Sequence, residues 1–198
     1  QDSGFGVSQR METERLKQHI DKVLELASLE SGKKLMQFEI IDFKPELERI
    51  CQDFSLIAQS ENIEFEYQLE DGNYTIKAEK FHLENVIANL LENAKKYADE
   101  PVVRLRAQLK NRRLLIAISD NGPGIAAEIR DHLFDPFFTT KEVGKGMGLG
   151  LSISYNIARS LGGSLTVDNR KEGGARFTLT LPMDPDSAEI PLQAEEIW

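Results

Sequence analysis

Four glycines fall at alternate positions in GKGMGLGLSI, residues 144–153, and the sequence then turns apolar. Core packing has no use for glycine at that density. Leu149, Ile153 and Ile157 follow at helical spacing, so the loop feeds the start of an amphipathic helix. Free N–H groups and the positive end of the helix dipole converge there, as an anion site requires. A phosphate cradle and a flexible surface loop both fit this segment taken alone. It is not a Walker A loop, because Leu151 follows Gly150 where that motif places Lys and then Ser or Thr after its glycine. It is not G-x-G-x-x-G either.

A second group of chemically capable residues is Asn85, Asn89 and Asn93, which recur at i+4 and are followed by Lys96 and Tyr97. On a helix they line one ridge beside the apolar stripe of Leu83, Ile87, Leu90, Leu91 and Ala94. Asparagine is a poor helix former, so three on one ridge need a reason. An amide oxygen is a hard, neutral ligand suited to Mg²⁺, and Lys96 can pair with phosphate oxygens. The alternative is a run of solvated amides. DNGPGI, residues 120–125, follows an apolar segment: Asp120 can accept a hydrogen bond from an exocyclic amine, and Gly122 and Gly124 let a flat ring approach the backbone. By itself this stretch also reads as an ordinary turn. In LFDPFFTTK, Phe134, Phe137 and Phe138 are too apolar for a free loop and should anchor a hinged segment, which brings Thr139, Thr140 and Lys141 near a ligand.

The elements that must position these residues are visible in the periodicity. Met11 to Glu30 carries Leu16, Ile20, Val23, Leu24 and Ala27 on one helical face, with Gly32 as the C-cap. Pro45 opens a second helix running to about Gln59, and IEFEYQL alternates with Ile63, Phe65, Tyr67 and Leu69 on one face. A short strand is expected from Tyr74 to Lys77, and a long helix over 79–97. VVRLRAQL and LLIAIS are strands around an Asn111-Arg112 turn, the second apolar enough to be central. A helix over roughly 149–161 leads to the strands GSLTVDN and ARFTLTLP. The sum is an α+β fold, a mixed and mainly antiparallel sheet covered by helices on one face, preceded by one long amphipathic helix. The division is 1–34 for a linker and that helix, 35–183 for the sheet domain, and 184–198 for an acidic tail expected to be mobile.

Composition narrows the classes further. The formal charge is −9 and 40% of the 198 residues are hydrophobic, which suits a folded globule and excludes a nucleic-acid surface. No apolar run approaches the ~20 residues of a membrane span, and no signal-peptide pattern opens the chain. Cys51, the single cysteine, lies on a helical stripe with Leu47, Ile50 and Phe54 and reads as a packed thiol in a reducing compartment. The opening QDSGFGVSQ is aperiodic and reads as a truncation or processing boundary.

Taken in order, NLLENAKKYA, DNGPGI, LFDPFFTTK, GKGMGLGLSI and GGARFTLTLP resemble the N, G1, F, G2 and final G boxes of sensor histidine kinase catalytic domains, of the GHKL superfamily. The resemblance spans about residues 36–182. It implies a Bergerat-type two-layer α/β sandwich that binds ATP between the N-box helix and a lid from about Phe134 to Met147. By position it implies that Asn93 ligands Mg²⁺ with Asn89 beside it, that Lys96 and Tyr97 contact the nucleotide, and that Asp120 reads the adenine amine. Gly122, Gly124, Ile125 and Thr178 join the ATP site from the G1 and final boxes. Gly146, Met147, Gly148, Leu149 and Gly150 cradle phosphates, with Thr139, Thr140, Lys141 and Lys145 contributed by the lid.

LKQHIDKVLELASLESGK is similar to the second helix of this family's dimerisation and phosphotransfer hairpin. None of His19, His82 or His132 has the His-Glu or His-Asp start, with a following Pro, that marks the phosphoacceptor, so the acceptor helix is expected upstream. The implied activity is transfer of the ATP γ-phosphoryl group to that histidine, for relay to a response-regulator receiver domain. A homodimer is implied for the full protein and a monomer or weak dimer for this chain, in the cytoplasm or as the cytoplasmic part of a membrane-anchored sensor. Gyrase, Hsp90 and MutL ATPases of the same fold carry a Glu where Asn89 stands, and Glu92 should face solvent, so hydrolysis is disfavoured. An ATP-gated clamp and a non-catalytic docking module are the alternatives. The short lid resembles the nitrogen-regulation and dicarboxylate-sensing branches.

Overall fold

The computed structural model describes residues 20, 23, 24, 27, 37–96, 100–140 and 148–185. Of the N-terminal helix expected over 11–30, the described residues Ile20, Val23, Leu24 and Ala27 are helical and exposed; the remainder, including Gly32, lies outside the described residues. The tail beyond Pro185 does so too. Among the described residues no helix is long and apolar enough to cross a membrane.

Helix α1, Lys44–Glu61, begins with Pro in its first turn and ends where Asn62 takes the left-handed conformation at φ 57°. Leu47, Cys51, Phe54 and Ala58, at i, i+4, i+7 and i+11, form its buried stripe. Cys51 is fully buried, and burial pushes its thiol up to about 12, as for a packed side chain. Helix α2, Lys80–Ala94, buries Leu83, Val86, Ile87, Leu90, Leu91 and Ala94, ending three residues before the expected limit. Helix α4, Gly150–Ser160, packs beside α2, and α3 is a four-residue turn at Ala127–Arg130.

Helices α1, α2 and α4 cover one face of a five-stranded sheet ordered β2-β4-β5-β7-β6, with β2 Glu64–Leu69, β4 Val102–Lys110, β5 Arg113–Ser119, β6 Ser164–Asn169 and β7 Ala175–Pro182. Only β2 and β4 run parallel. The apolar β5 occupies the centre, as its sequence requires, with Leu114, Ile116 and Ile118 fully buried. Asn111 and Arg112 turn the β4–β5 hairpin at φ 52° and 56°, the positive values that a two-residue hairpin turn of matching twist demands.

One strand was not legible. β1, Glu39–Asp42, pairs antiparallel with β3, Thr75–Ala78, in a separate two-stranded sheet. Its four residues EIID are too few to show a period, and Ile40 is exposed while Ile41 packs against the core. Tyr74, expected within β3, instead lies just before it and is fully buried, its hydroxyl donating to the carbonyl of Glu70 at 2.7 Å.

Candidate functional site

The site is built where β5 ends. The β5–β7 ladder continues one residue past the strand, with Asp120 N–H donating to Ala175 O at 3.0 Å, and so carries Asp120 into the covered layer at 6% exposure. Its Oδ1 accepts the main-chain N–H groups of Gly122 at 2.8 Å and Ala175 at 3.2 Å. Among the described residues, Oδ2 takes no hydrogen bond. Burial raises the Asp120 pKa, opposed by those two N–H groups and by Arg170. One oxygen is therefore spent on fixing the carboxylate, and the other remains as an acceptor.

The backbone around Asp120 is boxed in. Gly174, at φ +84°, lies so close that a Cβ there would stand 1.9 Å from the Asp120 carbonyl oxygen, which also accepts from Arg170 Nη1 at 3.0 Å. Further along, Asn169 holds Ile125 at both main-chain groups: Ile125 N–H donates to Oδ1 at 2.8 Å and Nδ2 donates to Ile125 O at 2.9 Å. Gly124, at φ +77°, lies against that side chain. Asn121 joins the loop to β4 through Val102 N–H at 2.9 Å. DNGPGI is thus a clamped platform, where its composition also allowed an ordinary turn. Asn169 and Arg170 were missed by sequence reasoning, since DNRKEGG reads only as a polar connection; its Gly-Gly pair was the available signal.

The second part of the candidate site is formed by α2 and the start of α4, which pack on each other. Asn89 and Asn93 are half-buried on α2, whereas Asn85 is exposed. Asn89 Nδ2 donates to Ser154 Oγ at 3.0 Å, and a Cβ on Gly150 would lie 2.5 Å from Asn89 Oδ1. Glycine as the first residue of α4 thus lets the Asn89 amide lie directly against the helix start. Leu149 is buried at the N-cap position. Gly148, at φ +66°, faces the 134–140 segment, with its O accepting Phe137 N–H at 3.1 Å and room for a Cβ denied by Phe138 O at 2.3 Å.

Three aromatics were expected to anchor that segment, and of these Phe134 packs against the core. Phe134 stacks on Tyr155 of α4 with centroids 5.0 Å apart, and Phe138 is half-buried. Phe137 is 61% exposed with φ 66°, because the left-handed backbone that lets its N–H reach Gly148 turns its ring outward. Thr139 and Thr140 follow, both exposed. Lys96 is exposed, its Nζ 3.5 Å from Glu92. Tyr97, Lys141, Lys145, Gly146 and Met147 lie outside the described residues.

Thr178 is not brought to the others. Period-2 alternation along β7 buries Phe177 and Leu179 beneath the helices and puts Thr178 on the opposite, open face, between Ala117 and Thr166. Near the asparagines the carboxylate of Glu92 is 44% exposed and engaged by Lys95 at 2.9 Å as well as by Lys96. Among the described residues no group of three or more His, Cys, Asp or Glu side chains is placed to hold a metal. Half-buried amide oxygens, of Asn89 and Asn93, are hard, neutral donors of the kind that Mg²⁺ accepts in phosphate sites. His82 is buried at 1% exposure, His132 is exposed beside Asp135 at 2.8 Å, and His19 lies outside the described residues.

The described residues thus provide a buried carboxylate with one unengaged oxygen on a clamped glycine-bearing loop, and half-buried amides beside the N-terminus of α4. Residues 78–185 match the family described as histidine kinase-, DNA gyrase B-, and HSP90-like ATPase. Among curated relatives, the signal transduction histidine-protein kinase AfsQ2 of Streptomyces coelicolor is 30% identical over 177 residues, covering 88% of this chain and 32% of AfsQ2. The C4-dicarboxylate transport sensor protein DctB of Pseudomonas aeruginosa is 33% identical over 158 residues, covering 77% of this chain and 26% of DctB. This chain therefore spans about a third or less of either relative's length. Full-length ShkA in complex with AMPPNP superposes with a TM-score of 0.82 at 25% identity, covering 93% of this chain and 39% of ShkA.

Proposed function

The chain belongs to the histidine kinase-, DNA gyrase B-, and HSP90-like ATPase family, and from that premise we propose that it is the catalytic, ATP-binding part of a sensor histidine kinase. It binds ATP with Mg²⁺ and transfers the γ-phosphoryl group to a histidine on a dimerisation helix, from which the group passes to an aspartate of a response regulator. The observation that carries this reading is Asp120, buried and fixed through one oxygen with the other left to accept from the adenine amine. The AMPPNP held by ShkA and the kinase names of the relatives support it.

Each residue has a definable task. Gly122 and Gly124 allow the ring to lie on the platform that Asn169 holds in place. Asn93 and Asn89 offer amide oxygens to the cation; Gly148, Leu149 and Gly150 present main-chain N–H groups to the phosphates. Lys96 is released from Glu92 to meet phosphate oxygen, and Tyr97 contacts the nucleotide beside it. Ile125 lies at the ring's edge. Thr139, Thr140, Lys141, Lys145, Gly146 and Met147 belong to a lid over the triphosphate. Bound Mg²⁺ supplies charge neutralisation on the phosphate oxygens.

Transfer is favoured over hydrolysis because, among the described residues, no general base for water stands beside the asparagines. Asn89 is not basic and its amide is engaged by Ser154, while Glu92, 44% exposed, is paired with Lys95. Homodimerisation is assigned to the hairpin of the full protein. Titration calorimetry tests the reading: Asn93→Ala and Asp120→Ala should each weaken Mg²⁺-ATP binding by at least tenfold, and unchanged affinity in both would refute it.

A further inference from the structure

Ser154 is buried to 2% in the second turn of α4, and its hydroxyl accepts the Nδ2 hydrogen bond of Asn89 at 3.0 Å. The other end of the same amide lies against Gly150, where a Cβ would stand 2.5 Å from Oδ1. An amide has two unlike ends, and two independent features here choose between them. The serine oxygen provides the acceptor that the NH₂ needs. The Cα–H of Gly150 and the positive end of the α4 dipole favour an oxygen, not an NH₂, on the other side.

We propose that Ser154 is a positioning residue: it fixes the Asn89 amide with its oxygen turned toward the start of α4, where the phosphates and their cation are held. The proposal rests on the nucleotide reading given above. With an apolar side chain at 154, the NH₂ would lose its buried acceptor, which is costly, and the amide would rotate to bring its N–H groups out. A cation then meets donors in place of an oxygen. The consequence is selective, because the groups proposed for the adenine, at Asp120 and Ile125, are held by Gly122, Ala175 and Asn169 and not through Ser154.

The test measures binding of a non-hydrolysable ATP analogue in Mg²⁺ and again in EDTA, with the unfolding midpoint read on the same samples. One lost hydrogen bond corresponds to roughly three- to tenfold in affinity. Ser154→Ala, and the near-isosteric Ser154→Cys, should weaken binding by about that factor in Mg²⁺ and by less than about twofold in EDTA, while Ser154→Thr, which keeps the hydroxyl, should restore the Mg²⁺ affinity. Unchanged affinity of Ser154→Ala and Ser154→Cys in Mg²⁺, or an equal loss in both conditions, would overturn the positioning role. Failure of the unaltered chain to bind the analogue at all would instead overturn the nucleotide reading itself.

Discussion

Two adjacent glycines provide a controlled perturbation of the site. Gly173 and Gly174 have φ of +97° and +84°, but nothing lies within 4 Å of a Cβ on Gly173, whereas a Cβ on Gly174 would meet Asp120 O at 1.9 Å, Asp120 C at 2.6 Å and Asn121 Cα at 3.0 Å. Alanine at either position incurs about 1–2 kcal/mol of left-handed strain, partly offset by about 0.4–1 kcal/mol from the stiffer unfolded chain. Gly173→Ala should therefore cost about 1 kcal/mol. Gly174→Ala adds overpacking of about 1–3 kcal/mol against backbone that cannot rotate away. It also strains the two hydrogen bonds joining Asp120 to Ala175, worth about 1 kcal/mol each. The total is about 3–5 kcal/mol, or a fall in Tm of roughly 10 °C for a chain of this size, against about 2–4 °C for its neighbour. Urea and thermal unfolding measure both, and ATP titration should show Gly174→Ala weakened and Gly173→Ala close to the unaltered protein. Equal destabilisation by the two substitutions would refute the reasoning, because it would leave only the φ term that they share.

Acid should act on the site and on the fold in different ways. Asp120 has its pKa raised by burial above the ordinary 3.8, so its contribution to nucleotide-free stability is full below 3.8 and is lost as pH rises through the raised value. ATP needs the ionised acceptor, so calorimetry should show affinity falling as pH drops through that window, and Asp120→Asn should abolish the dependence. Glu46 behaves oppositely: hydrogen bonds from Lys80 and Arg49 lower it from 4.5 to about 2, so its contribution is present above 4.5 and lost as pH falls through 2. Lys80→Met should flatten the acid limb of a stability–pH curve. Asn169→Ala removes both bonds to Ile125, costing about 1–2 kcal/mol; faster hydrogen exchange at the Ile125 amide and weaker ATP binding should appear together.

Long periodic elements were legible because their burial is one-sided. The stripe Leu47, Cys51, Phe54 and Ala58 and the apolar run of β5 could be placed from spacing alone, whereas the approach of Asn89 to Gly150 was legible only through the order of the motifs. What escaped was local or tertiary. β1 has too few residues for a period, and the outward turn of Phe137 depends on a left-handed backbone set by Gly148. Asn169 and Ser154 act through contacts with residues 44 and 65 positions away, which no spacing rule connects. Thr178 was carried with its motif, and strand alternation alone would have separated it from Phe177.

The central claim is that this site delivers phosphate to a protein histidine. The direct measurement incubates the chain with Mg²⁺ and γ-labelled ATP, with and without a dimerisation hairpin bearing an acceptor histidine, and follows both labelled protein and free phosphate. The account predicts acid-labile label on the hairpin, little phosphate release in its absence, and neither product with Asn93→Ala. Steady phosphate release by the chain alone, with no label on the hairpin, would contradict it.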